Sequence, residues 1–141
     1  MYEEYTRQAL PSREYRELLG SAICVFNSNN AFIIENILRN DVNNKHAWFE
    51  LIDRTSGQLR EPILETITRA SNGEIACLFN KIVEKRNRII HSFQITDENG
   101  EQLLCTKDNK GEQCSISEGF LLGFIKQNED LSCLLHNFRG F

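Results

Sequence analysis

From Tyr15 to Ile37 the apolar residues Tyr15, Leu19, Ala22 with Ile23, Phe26, Ile33 and Ile37 recur at steps of three, four or seven. On a helix turning about 100° per residue, such steps fall on one stripe. A stripe this long requires a matching apolar surface from the rest of the chain. Asn27-Ser28-Asn29-Asn30 interrupts it with poor helix formers, whose side chains compete for backbone hydrogen bonds. The stripe nevertheless keeps its phase across them, which predicts one helix from Ser12 to about Asn40, with a kinked pair as the alternative.

The matching surface comes in shorter pieces. His46 to Thr55, with Trp48, Phe49, Leu51 and Ile52, predicts a short helix stopped by Ser56-Gly57. A helix follows with Pro62 in its first turn, where a missing amide hydrogen costs little. It carries Ile63, Leu64 and Ile67 and ends at Ser71-Asn72-Gly73. Ser71 and Glu74 have capping-box spacing, which predicts the start of a helix running to His91. After His91 the period changes. Phe93 and Ile95 alternate with polar residues, Asp97-Glu98-Asn99-Gly100 is a turn signal, and Leu103, Leu104 and Cys105 follow, which predicts a β-hairpin. Asp108 to Gly111 predicts a second turn. Ser115 and Glu118 repeat the capping spacing before a last helix with Phe120, Leu121, Phe124, Ile125, Leu131, Leu134, Leu135 and Phe138 on its face. In that helix Gly119 and Gly123, four apart, predict a close helix approach. The expected fold is mainly all-α: a bundle of about five helices with a small β-hairpin inserted before the last. One domain over 1–141 is expected, with 1–11 as an N-terminal arm and 92–110 as the hairpin insertion.

A net charge of −4 over 141 residues argues against a generally basic nucleic-acid coat, yet leaves room for a local basic patch. From Lys81 to Arg88 two lysines and two arginines face a single glutamate. Five cysteines, none in a C-x-x-C pair, and no visible secretory signal predict reduced thiols in a cytoplasmic protein. The longest apolar runs, such as Phe120 to Ile125, are too short to span a bilayer, so no membrane is expected. Gly-rich phosphate loops, H-E-x-x-H and G-x-S-x-G are missing, which removes the commonest enzyme readings. No cofactor is called for.

One residue breaks the pattern of the helix before the hairpin. Ile75, Phe79, Ile82, Val83, Ile89 and Ile90 share a face, Lys81, Glu84, Lys85 and Arg88 share the opposite one, and Arg86 falls in the middle of the apolar face. An arginine there implies a subunit interface, a buried carboxylate or an anionic ligand. His91 stands five positions on, a rotation of about 140° on a regular helix. The two residues share a site if the helix ends near Ile90, or if a two-fold axis brings two copies together. Histidine moves protons near neutral pH, and arginine offers a permanent charge and a planar fork for phosphate oxygens. That is what metal-free RNA cleavage needs. The plainer alternative makes Arg86 an interface or salt-bridge residue and His91 a helix-end residue held by terminal carbonyls. Lys81, Lys85 and Arg88 read either as a solvated face or as phosphate contacts. A rival set, Cys105, Cys114, Cys133 and His136, supplies only one of the two tight pairs that a zinc site wants; buried or incidental thiols are the better account, and no metal is assigned. His46 and Trp48 are expected to fill the bundle and its rim.

Arg86-Asn87-Arg88-Ile89-Ile90-His91 resembles the R-N-x-x-x-H motif of HEPN domains, small α-helical proteins named for higher eukaryotes and prokaryotes nucleotide binding. The likeness extends over about residues 12 to 138: a long first helix with Phe26-Asn27 at its middle, two shorter helices, the motif ending the fourth, and a last helix behind it. Only the motif is specific. The resemblance implies a metal-independent endoribonuclease acting as a homodimer, with paired motifs forming the cleft, in a toxin–antitoxin or antiphage role. It makes Arg86 and His91 catalytic and Asn87 the supporting polar residue, with RNA as substrate and a cognate antitoxin or regulatory protein as a further partner. The alternative within the same family is a non-catalytic module binding RNA, nucleotide or protein. The chain departs from the members paired with a nucleotidyltransferase antitoxin, which carry a modifiable tyrosine two places after the histidine. Phe93 stands there and has no hydroxyl.

Overall fold

The computed structural model describes residues 1–108 and 110–140, and its fold is mainly α. The long stripe forms one continuous helix, α1 (Arg13–Arg39), started by the Ser12 hydroxyl, which accepts the Tyr15 amide. Two of the four polar residues in its middle cross-link it to its neighbours, which helps the helix tolerate them. Asn29 is buried and donates to the backbone and side-chain oxygens of Asn128 (2.7 and 3.1 Å), while Asn30 accepts from Ser56 (2.7 Å). The short helix α2 (Trp48–Asp53) is narrower than the expected His46 to Thr55. α3 (Arg60–Ile63) carries Pro62 in its first turn and passes into a π-helical turn at Leu64–Thr68.

α4 (Glu74–Ile90) and α5 (Glu118–Arg139) complete the bundle. Neither starts with the capping box expected from spacing. The N-cap of α4 is Gly73; Asn72 accepts the Glu74 amide, and the Ser71 hydroxyl turns back to the Ile67 carbonyl. α5 is capped by Ser117, which accepts the Phe120 amide, because Ser115 is paired with Cys105 in a strand. Gly119 and Gly123 do not seat a helix either. The space above Gly123 is open, and Gly119 meets only the Ser117 hydroxyl.

Contacts between α1 and α5 advance in step along both: Tyr15 to Ile116 just before α5, Asn29 to Asn128, Glu35 to Arg139. First and last helices therefore run parallel. Phe26 of α1 lies between Phe79 of α4 and Phe124 of α5, with ring centroids 6.3 and 6.2 Å away. Around these rings Ile33, Ile37, Ile63, Ile67, Ile82, Leu121 and Leu131 are fully buried.

The expected hairpin is there, as β1 (Phe93–Thr96) and β2 (Gln102–Lys107), with Phe93 opposite Cys105. A third strand, β3 (Gln113–Ile116), lies beyond the expected 92–110 insertion and makes the hairpin a three-stranded antiparallel sheet with β2 central. Gln113-Cys114-Ser115-Ile116 alternates polar and apolar residues, yet only Ile116 is buried. Both turns have the same construction. Asp97 accepts the amides of Asn99 and Glu101, Asp108 accepts those of Lys110 and Glu112, and Gly100 and Gly111 take φ of 81° and 83°. Asn109, expected within the second turn, lies outside the described residues, as does Phe141.

Register places the two helix junctions together. Phe93 pairs with Cys105 and Ile116 with the adjacent Leu104, so α4 enters the sheet where α5 leaves it. Tyr15 fastens α1 to the same point. Its buried hydroxyl donates to the Ile116 carbonyl (2.6 Å) and accepts the Leu104 amide (3.2 Å), and burial raises its pKa, which keeps it a neutral donor. The N-terminal arm lies on this end of the body. Glu3 pairs with Arg16, and the Ala9 carbonyl accepts from Gln94 (2.7 Å).

Tyr15→Phe removes that hydroxyl and leaves a buried carbonyl and amide short of a partner. The expected cost is about 1–3 kcal/mol, read as a lower urea midpoint with an unchanged slope.

Candidate functional site

Arg86, Asn87, Lys85, Lys81 and Arg88 all project from α4, whose apolar positions Ile75, Phe79, Ile82, Val83 and Ile89 hold it against the bundle. The helix does end at Ile90. His91 is its C-cap, with φ −96° and ψ 20°, and its amide donates to the Asn87 carbonyl (2.9 Å).

Arg86 is half-buried, as its place on the apolar face requires. Its guanidinium carbon lies 5.1 Å from the centre of the Phe26 ring, a cation–π contact worth roughly 0.5–2 kcal/mol. The Nε is fully buried and has no hydrogen-bond partner. Among the described residues no carboxylate pairs with this guanidinium, and burial lowers its pKa from the usual arginine value. The internal carboxylate, one of three explanations for a cation on this face, is therefore excluded within the described residues. A partner surface and an anionic ligand remain.

His91 and Asn87 lie one turn apart on a different face, at a groove of about 410 Å³ also lined by Glu84, Arg88, Phe93, Thr106 and Lys107. Both side chains are exposed, and neither makes a hydrogen bond or ion pair with the described residues. Arg86 does not line this groove. Ending the helix at Ile90 thus brings Asn87, Arg88 and His91 together but does not bring Arg86 to His91 within one chain.

The basic residues separate in the same way. Arg88 is partly committed inside the molecule, donating to the Lys107 carbonyl (3.1 Å) with Glu84 at 3.9 Å. Lys85 donates to Gln127 of α5 (2.7 Å). Lys81 is exposed and unpaired among the described residues. Lys107 and Thr106 were not singled out in the sequence, since only the β1–β2 register carries the end of β2 to His91. Phe93, the residue standing where a modifiable tyrosine is found in one HEPN subgroup, forms part of the groove wall.

Cys105, Cys114, Cys133 and His136 do not converge. Cys105 is buried in β2, Cys114 is exposed in β3, and Cys133 and His136 lie near the far end of α5, where the His136 ring packs 4.7 Å from Phe32. No group of three or more His, Cys, Asp or Glu among the described residues is placed to hold a metal ion. No helix among them is long and apolar enough to cross a membrane. His46 is half-buried beside Glu65 (3.2 Å). Comparison with family models, curated proteins and solved structures finds no match.

A half-buried cation without an ion-pair partner costs desolvation that its removal recovers, set against the loss of its contact with the Phe26 ring. Arg86→Met is expected to leave the stability of the isolated chain unchanged or to raise it by up to about 1 kcal/mol, measured by chemical denaturation. A loss above about 2 kcal/mol would reveal an internal partner.

Proposed function

We propose that this chain is a metal-independent endoribonuclease of HEPN type, acting as a cytoplasmic homodimer in a toxin–antitoxin or antiphage role. Arg86 is the observation that carries the reading. A guanidinium whose Nε is buried, with no internal carboxylate among the described residues, is suited to an anion supplied from outside the fold. The R-N-x-x-x-H pattern supplies the class of that anion, the scissile phosphate of RNA.

Pairing two α4 helices about a two-fold axis answers the separation of Arg86 from His91, since each copy then completes the other's set. In the reaction, one His91 accepts the proton of a 2′-hydroxyl and the 2′ oxygen attacks phosphorus. The bond from phosphorus to the 5′ oxygen breaks, and that oxygen takes its proton from a second acid, for which the other copy of His91 is suited. Both Arg86 side chains hold the charge that builds on the phosphate oxygens, and Asn87 orients the strand. Lys81, Lys85, Arg88 and Lys107 supply sequence-independent attraction. The exposed Ile90 beside the motif gives such a dimer apolar surface to cover. Phe93 has no hydroxyl to modify, so the antitoxin or regulatory protein that the resemblance implies would act by binding rather than by modifying a tyrosine at that place.

The separation of Arg86 from His91 within one chain favours a second reading, a non-catalytic module that binds RNA, nucleotide or a protein at the same face. Incubation of the pure protein with total RNA in EDTA, followed by end mapping, distinguishes the two. The nuclease leaves 2′,3′-cyclic phosphate and 5′-hydroxyl ends, and His91→Ala lowers cleavage by about 100-fold or more. Equal cleavage by wild type and His91→Ala removes the assignment. Binding without cleavage, weakened by salt and by Arg86→Ala, supports the module.

A further inference from the structure

At the end of the bundle away from the sheet, α2 leaves unusual surface uncovered. Four of its six residues, Trp48, Phe49, Leu51 and Ile52, are apolar, and only Leu51 is buried. Phe49 is 81% exposed, Trp48 41% and Ile52 40%. Six residues are too few for a self-supporting helix, and a helix apolar around most of its circumference is normally covered. Clustered exposed apolar side chains of this kind mark contact surfaces.

Trp48 also forms the lip of a groove of about 860 Å³, which runs between the C-terminal halves of α1 and α5. Phe32 and Leu38 line it, with His136 packed on Phe32. Two arginines border it in unequal states. Arg139 lies over the Phe32 ring at 5.8 Å and pairs with Glu35 at 2.8 Å. Arg39 has only a 3.4 Å contact from its Nε to the same, already engaged, carboxylate, and its side chain is half exposed. A surface pair of that length contributes little, so the terminal amino groups of Arg39 are open to a further anion beside an aromatic surface.

We propose that α2 and this groove form a docking surface for a protein segment that presents a carboxylate beside an apolar side chain. The apolar group would seat between Trp48 and Phe32, and the carboxylate would take the fork of Arg39. The charge pattern selects this occupant over a nucleic acid. Glu35 lines the groove and Glu50 and Asp53 stand on α2, so a strand with one charge per nucleotide meets these carboxylates repeatedly, whereas a single carboxylate can be confined to Arg39. The groove's openness selects it over a small molecule, which is held by enclosing most of its surface. The surface lies away from His91 and is independent of the nuclease reading.

The test selects random twelve-residue peptides displayed on phage against the full chain, then measures synthetic fluorescent copies by anisotropy. Enriched peptides are expected to carry Asp or Glu within four positions of Trp, Phe, Leu or Ile. They should bind Arg39→Glu and Trp48→Ala at least about tenfold more weakly, with thermal unfolding confirming that both variants fold. Phe49→Ser, at a position almost wholly in solvent, should weaken binding without affecting the fold, and Tyr5→Ser on the N-terminal arm should have no effect. Changing the peptide's acidic residue to Lys should restore binding to Arg39→Glu. The proposal is overturned by a selection that yields no binder, by binders without acidic residues, or by binding indifferent to these substitutions. Displacement of the peptide by a twelve-nucleotide RNA would also overturn it, as would a concentration-dependent dimer dissociated by Trp48→Ala, which would give the surface to a second copy of the chain.

Discussion

The Phe26 ring has Phe79 on one side and Phe124 on another, and the Arg86 guanidinium lies over it. One side chain in the middle of α1 thus joins the motif helix and the last helix and also supplies the surface on which the motif's arginine rests. An arginine lying on an aromatic ring is held by the ring's quadrupole and the apolar contact of its stem. Neither satisfies its N–H groups. Packing therefore orders Arg86 without neutralising it, the condition that a preorganised anion contact requires.

Helix geometry then divides the motif. Asn87 and His91, four apart, share a face, while Arg86 lies about 100° from Asn87. The sheet decides what His91 meets, because the β1–β2 pairing brings Phe93, Thr106 and Lys107 to the end of α4. α4 therefore presents the motif on two faces, one on the bundle and one on the groove. A single copy of the chain does not close them into one site, and the proposed two-fold pairing is the simplest arrangement that does.

Polar residues with poor helix propensity provide the specific joints of the fold. Asn29 of α1 and Asn128 of α5 meet in the interior with hydrogen bonds that only one register of the two helices allows. Tyr15 fixes α1 to β2 and to the carbonyl just before α5. An apolar stripe alone tolerates sliding by a turn, whereas a buried amide left unpaired costs about 1–3 kcal/mol. These joints set the parallel alignment of the first and last helices. The cross-linked middle of α1 contrasts with α2, which is held chiefly by Leu51 and shows the rest of its apolar surface to solvent.

Sequence by itself determined the local structure. The stripe from Tyr15 to Ile37, Pro62 in a first turn, the period change after His91 and the Asp97–Gly100 turn each reflect the geometry of neighbouring residues, and each falls close to its expected place. Arg86 was legible as an anomaly for the same reason, since periodicity alone puts it on the apolar face. Tertiary structure decided what periodicity does not encode. It paired Gln113–Ile116 with β2 as a third strand, moved the caps from Ser71 and Ser115 to Gly73 and Ser117, left Gly119 and Gly123 without a neighbouring helix, and kept Arg86 out of the groove of His91. It also left Phe49 of the short helix in solvent and set Trp48, expected in the bundle and its rim, at the lip of a groove. Spacing along a helix specifies which residues share a face; which face meets which depends on long-range packing and strand register, set by contacts between residues far apart in the chain.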